Sequence, residues 1–251
     1  MIKVQSLSKS FGGVKAVDAC SLEIKPSSIT GLIGPNGAGK TTLFNIIAGN
    51  IRPDKGKVFL GNEDITGLNA HQCFYKGLCR SFQIAQEFSH LTVLENLMVV
   101  PLQQTGENLI SVWFRRGKII QEERKIYDRA MEVLQHVRLD PLAQQLAGNL
   151  SGGQKKLLEL ARIMMAKPKI VLLDEIAAGI NRSLLKEITR EVRRLNTEGL
   201  TFFMIEHDMD LISELCDSVI VMAEGRVLTQ GNMHDIRKDQ RVIESYLGAA
   251  L

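Results

Sequence analysis

The 251-residue sequence predicts an α/β fold: a parallel core, an antiparallel β portion at the N-terminus and a helical portion inserted between. Three observations predict it. A strand-length apolar run at 29–33 leads through a glycine-rich turn into a helical pattern. Hairpin signals crowd the stretch to about Asp64, whereas the periodicity from about 87 to 166 is helical. From Lys169 onward short apolar runs alternate with amphipathic ones, as in parallel strands joined by crossover helices.

The elements follow in order. Residues 4–7, 19–24 and 57–60 read as strands, with turns at Gly12-Gly13, Pro26-Ser27 and Pro53-Asp54. Residues 29–33 form the strand before the glycine-rich turn, and 42–48 the helix after it, closed by Gly49. Tyr127, Ala130, Met131, Leu134 and Val137 recur at three- and four-residue steps, one face of a helix. Strands at 170–173, 201–205 and 218–222 then alternate with helices at 184–196 and 209–215. The expected division is a single domain: an α/β core of 1–86 and 167–251, and a helical lobe of 87–166.

Composition narrows the function classes. Charged residues at 24% and hydrophobic ones at 45% describe an ordinary globular protein, and a net charge of +3 does not point to nucleic acid. No apolar run approaches the roughly 20 residues of a membrane span. The N-terminus enters a strand and lacks a signal-peptide core, so a cytosolic protein is expected, with any membrane role passing through a partner. The spacing of His71, Cys73 and Cys79 matches no common zinc pattern; these thiols and those of Cys20 and Cys216 read as buried or half-buried free cysteines in a reducing compartment. Trp113-Phe114-Arg115-Arg116 sets an aromatic pair beside cations and reads as a surface loop of the helical lobe.

The chemistry begins in Gly34-Pro35-Asn36-Gly37-Ala38-Gly39-Lys40-Thr41, with Thr42 next. The spacing G-x-x-x-x-G-K-[ST] between strand and helix is that of a phosphate-binding loop. Its glycines let backbone N–H groups turn around a phosphate chain, and the helix adds the positive end of its dipole. Lys40 can reach the β- and γ-phosphates, and the Thr41 hydroxyl can hold Mg²⁺. A nucleoside triphosphate is the expected ligand.

Residues 170–173 run directly into Asp174 and Glu175. Such a strand is expected beside the one feeding the loop, with Asp174 supporting Mg²⁺ through water or directly and Glu175 polarising the attacking water. Leu150-Ser151-Gly152-Gly153-Gln154 precedes another helical pattern. Ser151 is an N-cap candidate, and the glycines leave amides open at a helix N-terminus. One triphosphate needs one cradle, so this second one suits another molecule's nucleotide.

LSGGQ lying between a phosphate loop and an LLDE strand resembles the signature of ABC-type ATPases, over essentially the whole chain. The resemblance implies the ABC ATPase fold: a phosphate-loop NTPase core with an N-terminal antiparallel β subdomain and an inserted α-helical subdomain. It implies that Phe11 stacks on adenine, that Gln83 contacts Mg²⁺ and couples to a membrane partner, that Ala178-Gly179-Ile180-Asn181 is the D-loop, and that His207 faces the γ-phosphate. It further implies a head-to-tail dimer with itself or a paralogue, each ATP lying between one subunit's Gly34 loop and the other's Ser151. Transmembrane permease subunits, and indirectly a substrate-binding protein, would be its partners at the cytoplasmic face of the membrane.

Within the family the chain most resembles the ATPases of branched-chain amino-acid importers. Arg80-Ser81-Phe82-Gln83, the segment 91–97, the long connection around 113–125, Ala177-Ala178-Gly179-Ile180-Asn181 and Tyr246-Leu247-Gly248 carry that likeness. Urea and lipopolysaccharide transporter ATPases share several of these features, and an iron–sulfur assembly ATPase is the non-transport alternative. Two departures from the family pattern stand out. Ile176 replaces the proline after the catalytic acid, which bears on D-loop rigidity, and Pro26-Ser27-Ser28 replaces a Gly-Glu turn.

Overall fold

The computed structural model describes residues 1–81, 87–102, 104–107 and 113–247. In chain order the elements are β1 (Ile2–Phe11), β2 (Val14–Ile24), β3 (Ile29–Ile33), α1 (Lys40–Ile47), β4 (Lys55–Leu60), β5 (Glu63–Asp64), α2 (Ala70–Tyr75) and β6 (Leu78–Arg80). There follow α3 (Val93–Met98), α4 (Arg116–His136), α5 (Gly152–Ala166), β7 (Ile170–Asp174), α6 (Arg182–Thr197), β8 (Thr201–Ile205), α7 (Met209–Leu215), β9 (Ser218–Ala223), β10 (Arg226–Gly231), α8 (Met233–Ile236) and α9 (Gln240–Leu247). They fall into two compact units. The first comprises Met1–Gln83, Lys169–Ala178 and Leu185–Leu251; the second comprises Ile84–Pro168 and Gly179–Leu184.

In the first unit an antiparallel sheet of order β2-β1-β4-β5 accompanies a six-stranded sheet of order β10-β9-β3-β8-β7-β6. Every residue of β3, β7 and β8 is buried, which is why these segments read as unbroken apolar runs. β10 adds an antiparallel edge through a hairpin at Glu224-Gly225, where both residues take positive φ. Helix α1 buries Leu43, Phe44, Ile46 and Ile47 in a core that joins residues of both sheets, and the Phe44 and Phe203 rings lie 4.7 Å apart. Cys20 and Cys73 belong to the same core, while His71 stacks on Tyr75. The Pro26-Ser27 turn holds Ser27 at φ 51, with its amide donating to Thr201 Oγ1 at 2.9 Å and its hydroxyl to the Gly199 carbonyl at 3.2 Å.

One sequence expectation fails here. The strand ending in Asp174 does not lie beside β3: β8 pairs with β3 on one side and β7 on the other. β8 is buried throughout and tolerates neighbours on both edges, so it takes the central place. The consequence is chemical, because β8 ends in Glu206-His207 between the other two strand ends.

In the second unit α3, α4 and α5 pack together. On α4 the buried residues are Ala130, Val133 and Leu134, whereas Tyr127 is 42% exposed. The predicted face is therefore shifted: the buried residues lie in the C-terminal turns, and Val133 replaces Tyr127. Trp113 and Phe114 stand 79% and 83% exposed. Among the described residues no helix is long and apolar enough to cross a membrane.

Candidate active site

Parallel register gathers the chemistry. Leu32 pairs with Ile205, and Ile205 with Asp174, so the next residues of three neighbouring strands emerge at one edge of the sheet. Those residues are the Gly34 loop after β3, Glu206-His207 after β8, and Glu175 after β7. The carboxyl edge of a parallel sheet is where α/β proteins bind their ligands.

The loop is built by exclusion. A Cβ on Gly34 would sit 2.1 Å from the Met222 carbonyl oxygen, and one on Gly39, at φ 93, would sit 2.1 Å from that of Ala16. Only glycine lets the loop pass between β2 and β9 at these two points. Ala38 is buried and closes the turn, its amide donating to the Pro35 carbonyl at 3.2 Å and its carbonyl accepting from Gly225 at 3.1 Å. Asn36 and Gly37 are exposed at the tip. Lys40 begins α1 and folds back, Nζ donating to the carbonyls of Gly34 at 2.7 Å and Pro35 at 3.0 Å. Burial lowers its pKa, and the Glu175 carboxylate acts in the opposite sense. A cation is thereby held across the mouth of the loop.

Glu175 Oε1 lies 3.3 Å from His207 Nε2, with both side chains open to solvent in part. Glu175 takes φ 51, a left-handed conformation unusual for a glutamate, and its amide donates to the Ile205 carbonyl at 3.0 Å. Asp174 is 4% exposed, and its Oδ2 accepts from Arg80 Nη2 at 2.8 Å. Thr41 is exposed on the first turn of α1, with Thr42 half-buried behind it.

Sequence reading missed Glu206. It is 3% exposed, and its Oε1 accepts from the Ala177 amide at 3.0 Å. The nearby amides of His207 and Ile176 also favour its charged form. Burial nevertheless raises its pKa, and the neighbouring Glu175 charge adds to the rise. The carboxylate thus ties the loop after Glu175 to the one carrying His207. The available signal was an acid directly after the apolar run 202–205 and immediately before a histidine.

In the second unit, Ser151 caps α5: its Oγ accepts from the Gln154 amide at 3.3 Å and Gln154 Oε1 accepts from the Ser151 amide at 2.9 Å. This reciprocal box holds open a helix N-terminus whose first residues are Gly152 and Gly153, with no acid in the first turn. Asn181 Oδ1 accepts from the Leu184 amide at 2.9 Å at the start of α6. Phe11, at the β1–β2 turn, is 50% exposed with Lys9 Nζ 5.6 Å from its ring centre, so it is a surface aromatic and not a core one. Gln83 lies outside the described residues.

Comparison with known proteins agrees with this arrangement. The family model described as ABC transporter matches residues 17–178. A protein of Archaeoglobus fulgidus named probable branched-chain amino acid transport ATP-binding protein LivG is 40% identical over 250 residues, covering 99% of this chain and 96% of that one. The high-affinity branched-chain amino acid transport ATP-binding protein LivG of Escherichia coli is 38% identical over 251 residues, covering 100% of this chain and 98% of that one. A solved ATP-binding cassette of an ABC transporter, in its ADP conformation, superposes with a TM-score of 0.82 at 34% identity, covering 99% of this chain and 98% of that one. The chain belongs to the ABC transporter family of ATP-binding proteins, with their ATPase fold and nucleotide-binding loop.

Proposed function

We propose that this protein is the ATP-hydrolysing subunit of an importer for branched-chain or other hydrophobic amino acids. The observation that carries the ATPase reading is the Glu175–His207 pair, 3.3 Å apart beside the end of the loop strand. Glu175 is the general base for the attacking water, and His207 orients that water or stabilises the γ-phosphate. The loop from Gly34 to Thr42 cradles the phosphates, Lys40 exchanging its carbonyl partners for phosphate oxygens, and Phe11 offers its exposed ring to adenine. The donor set fits magnesium: the Thr41 hydroxyl, the Asp174 carboxylate and the Gln83 amide are all hard oxygen donors. A cation held there neutralises charge on the β- and γ-phosphates.

The helix N-terminus at Ser151 to Gln154 is the complementary half of a site, completed by the Gly34 loop of a second ATPase subunit in a head-to-tail dimer. Closure around ATP and reopening after hydrolysis then follow from contacts made only in the closed state. Residues 1–86 and 167–251 form the ATPase core and 87–166 its helical arm. The Gln83 region passes the motion to permease subunits, which would place the protein on the cytoplasmic face of the membrane. The names of both LivG relatives support the branched-chain reading over the urea, lipopolysaccharide and iron–sulfur alternatives.

Two measurements test this. Glu175→Gln should bind ATP as the wild type does while losing turnover by at least about a hundredfold, the scale on which general-base catalysis operates; wild-type turnover would remove Glu175 from the role of base. Vesicles carrying this subunit with its co-purified permeases and binding protein should take up leucine, isoleucine or valine only with ATP. Uptake of urea in their place would overturn the substrate.

A further inference from the structure

Arg80 carries a half-buried charge that hydrolysis as described does not use. It ends β6, beside β7, with only 14% of its side chain exposed. Nη1 donates to Asn45 Oδ1 on α1 at 2.6 Å, and Nη2 donates to Asp174 Oδ2 at 2.8 Å. Its Nε is shielded from solvent and has no hydrogen-bond partner. Asn45 stands four residues after Thr41, one helical turn along the same face of α1. One guanidinium therefore ties the helix bearing Thr41 to the carboxylate that ends β7. The neighbouring Ser81 reinforces the tie, its amide donating to the Leu172 carbonyl at 2.8 Å and its Oγ accepting from the Asp174 amide at 3.4 Å.

A desolvated ion pair is a poor way merely to hold two elements together, since apolar side chains of similar volume do so without the desolvation cost. The planar fork of arginine offers something apolar packing does not: two donors in fixed directions, one here spent on the Asp174 carboxylate and one on the Asn45 amide oxygen. Partners of this outer kind orient metal ligands and commonly govern metal affinity by 10–100-fold.

We propose that Arg80 is a positioning residue for the metal-dependent part of nucleotide binding, presetting Asp174 relative to Thr41 through its bridge to Asn45. The proposal rests on the reading of Thr41 and Asp174 as the Mg²⁺-holding groups. A simple charge argument gives the opposite sign, because a guanidinium near a cation site repels the cation and its removal would then tighten metal binding. The two accounts separate cleanly.

The test is titration of the full-length protein with a fluorescent ATP analogue, in magnesium and in EDTA. Magnesium should tighten binding to the wild type. Arg80→Met should lose about tenfold of that magnesium-dependent gain while binding the analogue in EDTA like the wild type, which also shows that the variant is folded. Arg80→Lys, with a single ammonium, should recover only part of the gain, and Asn45→Ala should lose it in the same direction. An unchanged or larger magnesium gain in Arg80→Met overturns the proposal, as does an equal loss with and without magnesium. A wild type that binds the analogue indifferently to magnesium would sink the metal assignment of Thr41 and Asp174, and this role with it, while leaving the nucleotide site standing.

Discussion

Glu206 illustrates how a single side chain can govern a site without reaching the substrate. A carboxylate buried just after β8 accepts from the Ala177 amide and so anchors the backbone that follows the strained Glu175. Its folded pKa stands above the ordinary glutamate value of 4.5, chiefly because burial disfavours the charge. The stability it contributes is therefore fully present below pH 4.5 and is lost as pH rises through the folded value. Glu206→Gln has no such proton. The unfolding free energy of the wild type minus that of the variant should accordingly fall as pH climbs from about 4.5 towards neutrality. Chemical denaturation across that range measures it, and a flat or rising difference would show that Glu206 is not buried as described.

Elements matter here through their ends. β3, β7 and β8 are fully buried along their length, and the charged residues that follow β7 and β8 and the glycine-rich loop that follows β3 emerge at the carboxyl edge. Helix α5 works in the opposite sense, presenting its N-terminus. The Ser151–Gln154 box keeps that end ordered without an acid that would cancel its dipole. Ser151→Ala should cost about 1 kcal/mol of stability through the lost cap, read as a shifted denaturation midpoint with unchanged slope. Ser151→Asp keeps a cap acceptor but sets a negative charge where the proposed phosphate would lie. It should retain stability and still impair ATP turnover, so full activity in this variant would count against an anion site at α5.

For the molecule as a whole, the two cradles belong to different compact units, the loop to the first and the signature helix to the second. A dimer with composite sites makes a distinctive prediction. Lys40→Ala and Ser151→Arg subunits should each fail to associate on adding ATP. Mixed together they should associate, because the Lys40 loop of one and the Ser151 helix of the other rebuild one intact site. Sedimentation with and without ATP reads this directly. Self-association of either variant alone, to the wild-type extent, would show that the sites are not shared between subunits.

Much of this was legible along the chain. The phosphate loop, the signature cap, the β8 and α7 boundaries and the Asp174-Glu175 strand end are all written in contiguous residues, because glycine tolerance, helix capping and unbroken burial act within a few positions of one another. Strand order was not legible. Nothing in residues 170–174 states that β8 will come between them and β3, since a strand buried on both edges can take either neighbour. The same holds for Arg80 meeting Asn45 and Asp174 across 35 and 94 residues, and for Glu206 collecting amides from a loop 29 residues away. Pairing at such separations leaves no local periodicity to read, and only the packed sheet brings those groups within bonding distance.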